Sequence, residues 1–274
     1  MEFEEKFIAF VDVLGFKNMV DASESGNGIP LREIMENLKM LGGPEDENKY
    51  KEHGPTICPQ SSFIRKDLNF KVTQISDCVI VSSEVSPAGA INLVNHCWGA
   101  VINLLMKGIM CRGYITKGSI YHDNNQVIGS GYQNAYAKES SVTAFKKEIN
   151  ERGTPFVELD PEVLTYINNS TDSCIKKMFS RMVKAEDDIT ALFPFQRIAN
   201  TVSFNSNVSV NKAKESNNNV RLLLCSLKER VMSYVDPSNE KAMNKAKHYI
   251  HAIEKQIEVC DKQDIMIEQT FSTC

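Results

Sequence analysis

The chain has 274 residues, 42% of them hydrophobic and 24% charged, with a formal net charge of −4. That length holds one large domain or a catalytic domain with a helical appendage, and the acidic balance argues against a protein that lives on a nucleic-acid polymer while leaving small phosphorylated ligands open. The eight cysteines contain no Cys-x-x-Cys pair and several sit in apolar runs, so reduced core thiols and a cytoplasmic location are expected rather than a disulfide or zinc framework.

The start, MEFEEKFIAF, is acidic, and its apolar stretch is too short for a signal peptide or a membrane span. Residues 7–14 form a continuous apolar run broken by one aspartate, the pattern of a buried central strand ending at Gly15. A helix is expected to begin at Phe16, and Pro30 to Leu41 continues helically with Leu31, Ile34, Leu38 and Leu41 on one face. Residues 43–62 are rich in Gly, Pro and charge and read as a surface loop. Two short β-type runs follow, Asn69 to Ile75 and Cys78 to Ser83, joined by Ser76-Asp77 as a hairpin. Pro87 opens a strong helix with Ile91, Val94, Trp98, Val101, Ile102 and Leu105 on one face. Met110 to Tyr121 reads as a strand, and Val127-Ile128 begins its return.

The order β-α-β-β-α-β-β predicts an α+β fold with helices covering an antiparallel sheet. Beyond Gly129 a helix is expected to about Asn150, then a strand at Pro155–Leu159 and a short helix from Pro161 to Asn168. The rest reads as mainly helical, clearest over Asn217–Val235 and Glu240–Lys262, with one last strand at Phe195–Phe204. The expected organisation is a catalytic domain over residues 1–170 and a helical extension over 171–274, packed on that domain or at a dimer interface.

Asp12 carries the chemistry. A carboxylate inside Phe-Val-Asp-Val-Leu costs several kcal/mol to bury unless it is paired or bound to a metal. Its plainer reading is a cap for the helix beginning near Gly15. Asp77 opens the third strand, so if the first and third strands are antiparallel neighbours, both carboxylates meet at one sheet edge. Two such ligands suit a pair of divalent ions serving in-line attack at phosphorus. The turn at Gly15 and the helix start after it can present N–H groups to phosphates.

These residues resemble a known family. Phe10-Val-Asp-Val-Leu-Gly-Phe16 is similar to the signature that opens class III adenylate and guanylate cyclase domains, and Ile75-Ser-Asp-Cys78 to their second metal-aspartate motif. Arg112-Gly-Tyr-Ile-Thr-Lys-Gly118 and the block from Gly129 to Glu139 (GSGYQNAYAKE) resemble two further family motifs, in the family's order. The resemblance implies a ferredoxin-like antiparallel sheet of cyclase type. It also implies Asp12 and Asp77 as ligands of two Mg2+ or Mn2+ ions, with help from the Val13 carbonyl. Leu14, Gly15, Phe16, Thr73 and Gln133 would be substrate contacts, and Arg112 a catalytic residue. Three positions depart from the pattern: Gln133 replaces the family's asparagine, Ala137 its transition-state arginine, and Thr73 its purine-reading lysine or glutamate.

The combination looks most like the bacterial pyrimidine cyclases of Pycsar anti-phage systems. That implies conversion of UTP or CTP to cUMP or cCMP by a homodimer acting away from nucleic acid and membrane, with the product activating a separate effector that it does not contact. The loss of the arginine at Ala137 supports the alternative of a catalytically inactive nucleotide sensor or interaction module. Arg112 is also open to an ion-pair reading, Lys71 and Lys117 to plain surface roles, and His122 and Asp123 to a structural turn. His96 reads as a core histidine. His248 and His251 have i, i+3 spacing without a supporting metal motif. Arg197 and Lys212 lie where the family places a basic phosphate contact.

Overall fold

The computed structural model describes residues 1–61, 64–195 and 209–272. It begins with β1 (Glu4–Val13), α1 (Phe16–Glu24), α2 (Leu31–Leu38) extended by a 3-10 turn at Lys39–Leu41, and α3 (Pro44–His53). The hairpin β2 (Lys71–Ile75) and β3 (Cys78–Glu84) leads into α4 (Pro87–Leu105), β4 (Cys111–His122), β5 (Val127–Ile128) and α5 (Ser130–Glu139). Then come β6 (Val157–Leu159), α6 (Pro161–Asn169), α7 (Ser173–Phe179), β7 (Val183–Glu186), β8 (Ile189–Leu192), α8 (Val210–Tyr234) and α9 (Glu240–Ser272). The order β-α-β-β-α-β-β read from the sequence therefore holds through β5.

The sheet runs β2-β3-β1-β4-β6-β8-β7, with β5 paired to β4. Its first four strands are antiparallel throughout, which is the ferredoxin-like order; among the described residues only β4 and β6 run parallel. β1 lies at the centre, and Phe7 to Val11 are at most 5% exposed, as a continuous apolar run between two covered faces requires. Alternation along β1 divides the cores. Phe7, Ala9, Val11 and Val13 pack with α4 and its neighbours, while Ile8 and Phe10 face Ala135 of α5. A third core joins Met110, Tyr114 and Phe156 to Leu224 and Leu227 of α8 and Tyr249 and Ile253 of α9. Tyr249 stacks on Phe156 with ring centroids 5.1 Å apart. One sheet face thus carries α4, and the other is shared between α5 and the α8–α9 pair.

Local chemistry sets the helix starts. Ser86 accepts from the Gly89 amide ahead of Pro87, Asp160 accepts from the Glu162 amide ahead of Pro161, and Ser209 caps α8, each side chain satisfying an orphan N–H of the first turn. α5 lies unusually close to β4 because Gly118 and Gly131 meet. A Cβ on Gly131 would fall 2.3 Å from Ile8 Cδ1 and 3.0 Å from the Gly118 backbone.

Three stretches differ from the sequence reading. Residues 44–53, expected as loop, form α3. Pro44 opens it, Glu45, Asp46 and Glu47 sit in its first turn, and Lys51 and His53 in its last, all favourable to the helix dipole. Tyr50 then packs on Phe70 at 4.5 Å, and buried Glu47 accepts from the Val72 amide and Lys71. The helix after Gly129 ends at Glu139 rather than near Asn150, because the Thr143 and Ala144 amides are taken by the Glu158 carboxylate. Beyond residue 170 the sequence reads as mainly helical, but β7 and β8 form there and continue the sheet through β6. Their hairpin turns at Asp187-Asp188, both at positive φ, a conformation that aspartate tolerates better than most residues. The strand expected at Phe195–Phe204 falls, from residue 196 on, outside the described residues. No helix among the described residues is long and apolar enough to cross a membrane.

Candidate active site

β1 and β3 are antiparallel neighbours in which Asp12 stands opposite Cys78. Asp77 occupies the two-residue turn that precedes Cys78, and its carbonyl accepts from the Val13 amide at 3.0 Å. The turn is held with Ser76 at φ +54°, a left-handed position that costs a non-glycine residue about 1 kcal/mol. On its other side Asp12 stands opposite Arg112 of β4, and the Leu14 amide donates to Met110 at 2.9 Å. Gly15, at φ +80°, then turns the chain into α1, with nothing within 4 Å of where a Cβ would lie. Three strand ends and one open turn therefore converge on Asp12.

The electrostatics are those of crowded carboxylates. Burial pushes Asp12 up to about 7, the charges of Asp77 and Glu139 push the same way, and Arg112 and the Val13 amide oppose them. Cys78, opposite Asp12, rises to about 11 through burial and the same two aspartates. Such a site favours an added cation, since a positive charge restores the ionised form of Asp12. Among the described residues no group of three or more His, Cys, Asp or Glu side chains is arranged for a metal. The donor set is two carboxylates with backbone oxygens nearby, which suits Mg2+ or Mn2+ completing its shell with water and phosphate, and suits zinc poorly.

Arg112 forms a nearly buried ion pair with Glu139, the last residue of α5, and also donates to the Gly153 carbonyl. It sits beside Asp12, but its guanidinium is engaged inside the protein. Gln133 is exposed on α5, as is Ala137 one turn further on. Leu14 and Gly15 line a cavity of about 810 Å³, and Phe16 begins α1 beside it. Thr73 lies on β2, where its hydroxyl meets His122 Nε2 at 2.9 Å, while Ser82 meets Nδ1 of the same ring at 2.9 Å. His122 is buried and its pKa is lowered to about 4, first by burial and then by Lys6 and Lys71, with Asp123 opposing.

The remaining candidates resolve into structural roles. Lys71 pairs with Glu47 and Lys117 with Glu5. His96 bonds the Leu41 carbonyl at 3.0 Å in the core. His248 is buried against Glu151 at 2.6 Å. Lys212 is exposed in the first turn of α8, and Arg197 lies outside the described residues. Sequence reasoning overlooked two side chains here. Glu139 closes the quoted GSGYQNAYAKE block and was legible as a buried partner only once α5 was placed. Lys245 of α9 feels Arg112, Glu139 and Asp12 electrostatically, and nothing in the local pattern of a polar helix announces that.

No family model matches the chain, and no curated protein matches it. Nineteen chains of solved structures do. Among them is the crystal structure of the catalytic core of a rhodopsin-guanylyl cyclase with converted specificity in complex with ATPαS. To that core this chain is similar at 16% identity and a TM-score of 0.37, over 62% of this chain and 83% of the other.

Proposed function

We propose that this chain is a metal-dependent nucleotidyl cyclase that converts a nucleoside triphosphate into a 3′,5′-cyclic monophosphate and pyrophosphate. The observation that carries the reading is the meeting of Asp12 and Asp77 on adjoining strand ends, with Asp12 held up to about 7 by burial and like charge. Asp12 and Asp77 would hold two Mg2+ or Mn2+ ions, with the Val13 carbonyl assisting. Bound there, the ions supply activation of a ribose hydroxyl and neutralisation of the triphosphate. The protein's own part is positional: the Asp77 carbonyl and Met110 carbonyl pin the turn, and Gly15 leaves it open to an approaching phosphate. The Arg112–Glu139 pair fixes the wall beside Asp12. In the reaction the ribose 3′-hydroxyl gives up its proton to solvent, its oxygen bonds to the α-phosphorus, the bond from that phosphorus to the bridging oxygen breaks, and pyrophosphate leaves.

The preference for UTP or CTP rests on Thr73, Gln133 and Ala137, which depart from the purine-cyclase pattern; the anti-phage signalling role and the homodimer rest on the resemblance to pyrimidine cyclases. A specific observation favours a second reading, an inactive nucleotide sensor: Ala137 offers no charge, and Arg112 is committed to Glu139. Incubation with each of the four NTPs and Mn2+, followed by mass spectrometry, separates the two. A cyclic product that disappears in Asp12→Ala and Asp77→Ala, both still folded by circular dichroism, is the expected result. Metal-dependent NTP binding without any cyclic product favours the sensor, and activity surviving either substitution refutes the metal site.

A further inference from the structure

Between α3 and β2 the chain is held at two points. The Thr56 amide donates to the side-chain carbonyl of Asn92, which is buried on α4, and Ser61 Oγ donates to Asp172 at 2.5 Å. Asp172 is the cap of α7, and its other carboxylate oxygen accepts from the Cys174 amide at 3.0 Å. Between the two pins the chain turns, so that the Ser61 amide donates back to the Cys58 carbonyl at 2.9 Å. Pro55 and Pro59 fix φ on either side of Cys58 and leave this stretch little freedom. One carboxylate thus ties the turn that begins at Cys58 to the first turn of α7, although the two lie far apart in sequence.

The thiols of Cys58 and Cys174 meet as a result. Cys174 is pushed up, first by its hydrogen bond with Cys58, then by burial and by the charges of Cys58 and Asp172, with Lys177 opposing. Both thiols are free and half-exposed, unlike Cys97, Cys111 and Cys260, which are buried. Cys78 is half-exposed too, but its thiol is turned onto the Ile75 carbonyl at 3.1 Å. α7 is in turn anchored by Ile175 and Phe179 in the core beneath α4. Two accessible thiols held together in this way react with each other as neighbours rather than by diffusion, whereas a solitary oxidised thiol has no resolving partner.

We propose that Cys58 and Cys174 are a modification site, a dithiol that hydrogen peroxide converts into a reversible disulfide clamping the α3–β2 connection to α7. The site stands apart from the cyclase reading and does not depend on it. One thiolate attacks the peroxide: an S–O bond forms, the O–O bond breaks, and the departing hydroxide takes up a proton as water. The second thiol then displaces the sulfenic hydroxyl, so that the S–S bond forms and a second water leaves. Each sulfur gives up one electron, each peroxide oxygen gains one, and the two thiol protons end in the two waters. Two molecules of a small thiol reverse the step by exchange and leave as their own disulfide.

The test treats the folded full-length protein, reduced and then freed of reductant, with a molar excess of hydrogen peroxide. The remaining thiols are alkylated after denaturation, and non-reduced tryptic peptides are mapped by mass spectrometry. Trypsin leaves Cys58 as the one cysteine of peptide 52–65 and Cys174 as the one cysteine of peptide 153–176, so the bridge is read as a species two hydrogens lighter than the two peptides together. That species is expected to account for most of both peptides, to vanish with dithiothreitol, and to be absent from Cys58→Ser and Cys174→Ser. The urea midpoint of the oxidised wild type is expected to rise by about 1 M over the reduced protein, with no such rise in either variant. Recovery of both cysteines in alkylated form from the peroxide-treated wild type overturns the proposal. So does either cysteine bridged chiefly to a different one, or halted as a sulfinic acid. A bridge that forms without raising the midpoint overturns the clamp.

Discussion

Protonation of His122 is expected to destabilise the protein by an amount set by its burial. The ring bridges Thr73 on β2 and Ser82 on β3 at 2.9 Å each, at the end of β4. Both hydroxyls can accept as well as donate, so imidazolium would keep two partners. What it cannot recover is its hydration, and Lys6 and Lys71 add repulsion. The folded pKa of about 4 lies below the ordinary 6.5. Between those values the unfolded chain binds more protons, so this contribution is complete above pH 6.5 and is lost as pH falls toward 4. At 1.36 kcal/mol per unit, the gap corresponds to about 3 kcal/mol. Urea unfolding at pH 7, 6, 5 and 4 on wild type and His122→Gln measures it, because the difference between the two curves cancels carboxylate titrations elsewhere. The wild type should lose about 3 kcal/mol relative to the variant across that window. Parallel pH dependences would show that the ring is not held neutral and would refute the reasoning.

Two further outcomes test the surroundings of the site. Glu139→Ala leaves Arg112 nearly buried without its carboxylate and should cost about 3 kcal/mol in chemical denaturation; a cost below about 1 kcal/mol, the level of a surface pair, would mean that the pair is solvated. Tyr249→Ala removes a fully buried ring stacked on Phe156 and should cost about 3–5 kcal/mol; proteolysis should then open α9 before the sheet, and uniform protection would contradict the packing of that helix on Phe156.

The centre of the fold was legible because each rule pointed the same way. The run at residues 7–14 read as a buried strand, the Ser76-Asp77 break as a hairpin, and Pro87 as the start of α4, and each stands so in the structure. The approach of Asp12 to Asp77 followed from antiparallel pairing. What stayed hidden depends on distant partners. α3 is polar along its length and owes its place to Tyr50 on Phe70 and Glu47 on β2. The end of α5 is decided by Glu158, well downstream. The role of Arg112 hung on where α5 would lay Glu139, and Lys245 looks like any lysine of a solvated helix until Tyr249 anchors that helix to Phe156. Thr73 was singled out by its position in a motif, but its pairing with His122 joins strands that no local pattern relates.

The wall formed by α8 and α9 has a consequence for biosynthesis. Leu14 and Gly15 leave the ribosome early, whereas Tyr234, Lys241 and Lys245, which bound the same cavity, emerge after most of the chain. β1, β3 and β4 can pair beforehand, since their contacts close earlier, but contacts between sequence-distant segments are entropically the slowest to form. A nascent chain would therefore carry both aspartates while its cavity still lacked one side. Synthesis and final docking of α9 set the moment at which the pocket closes, so truncated products accumulating in a stressed cell would lack one wall of that cavity.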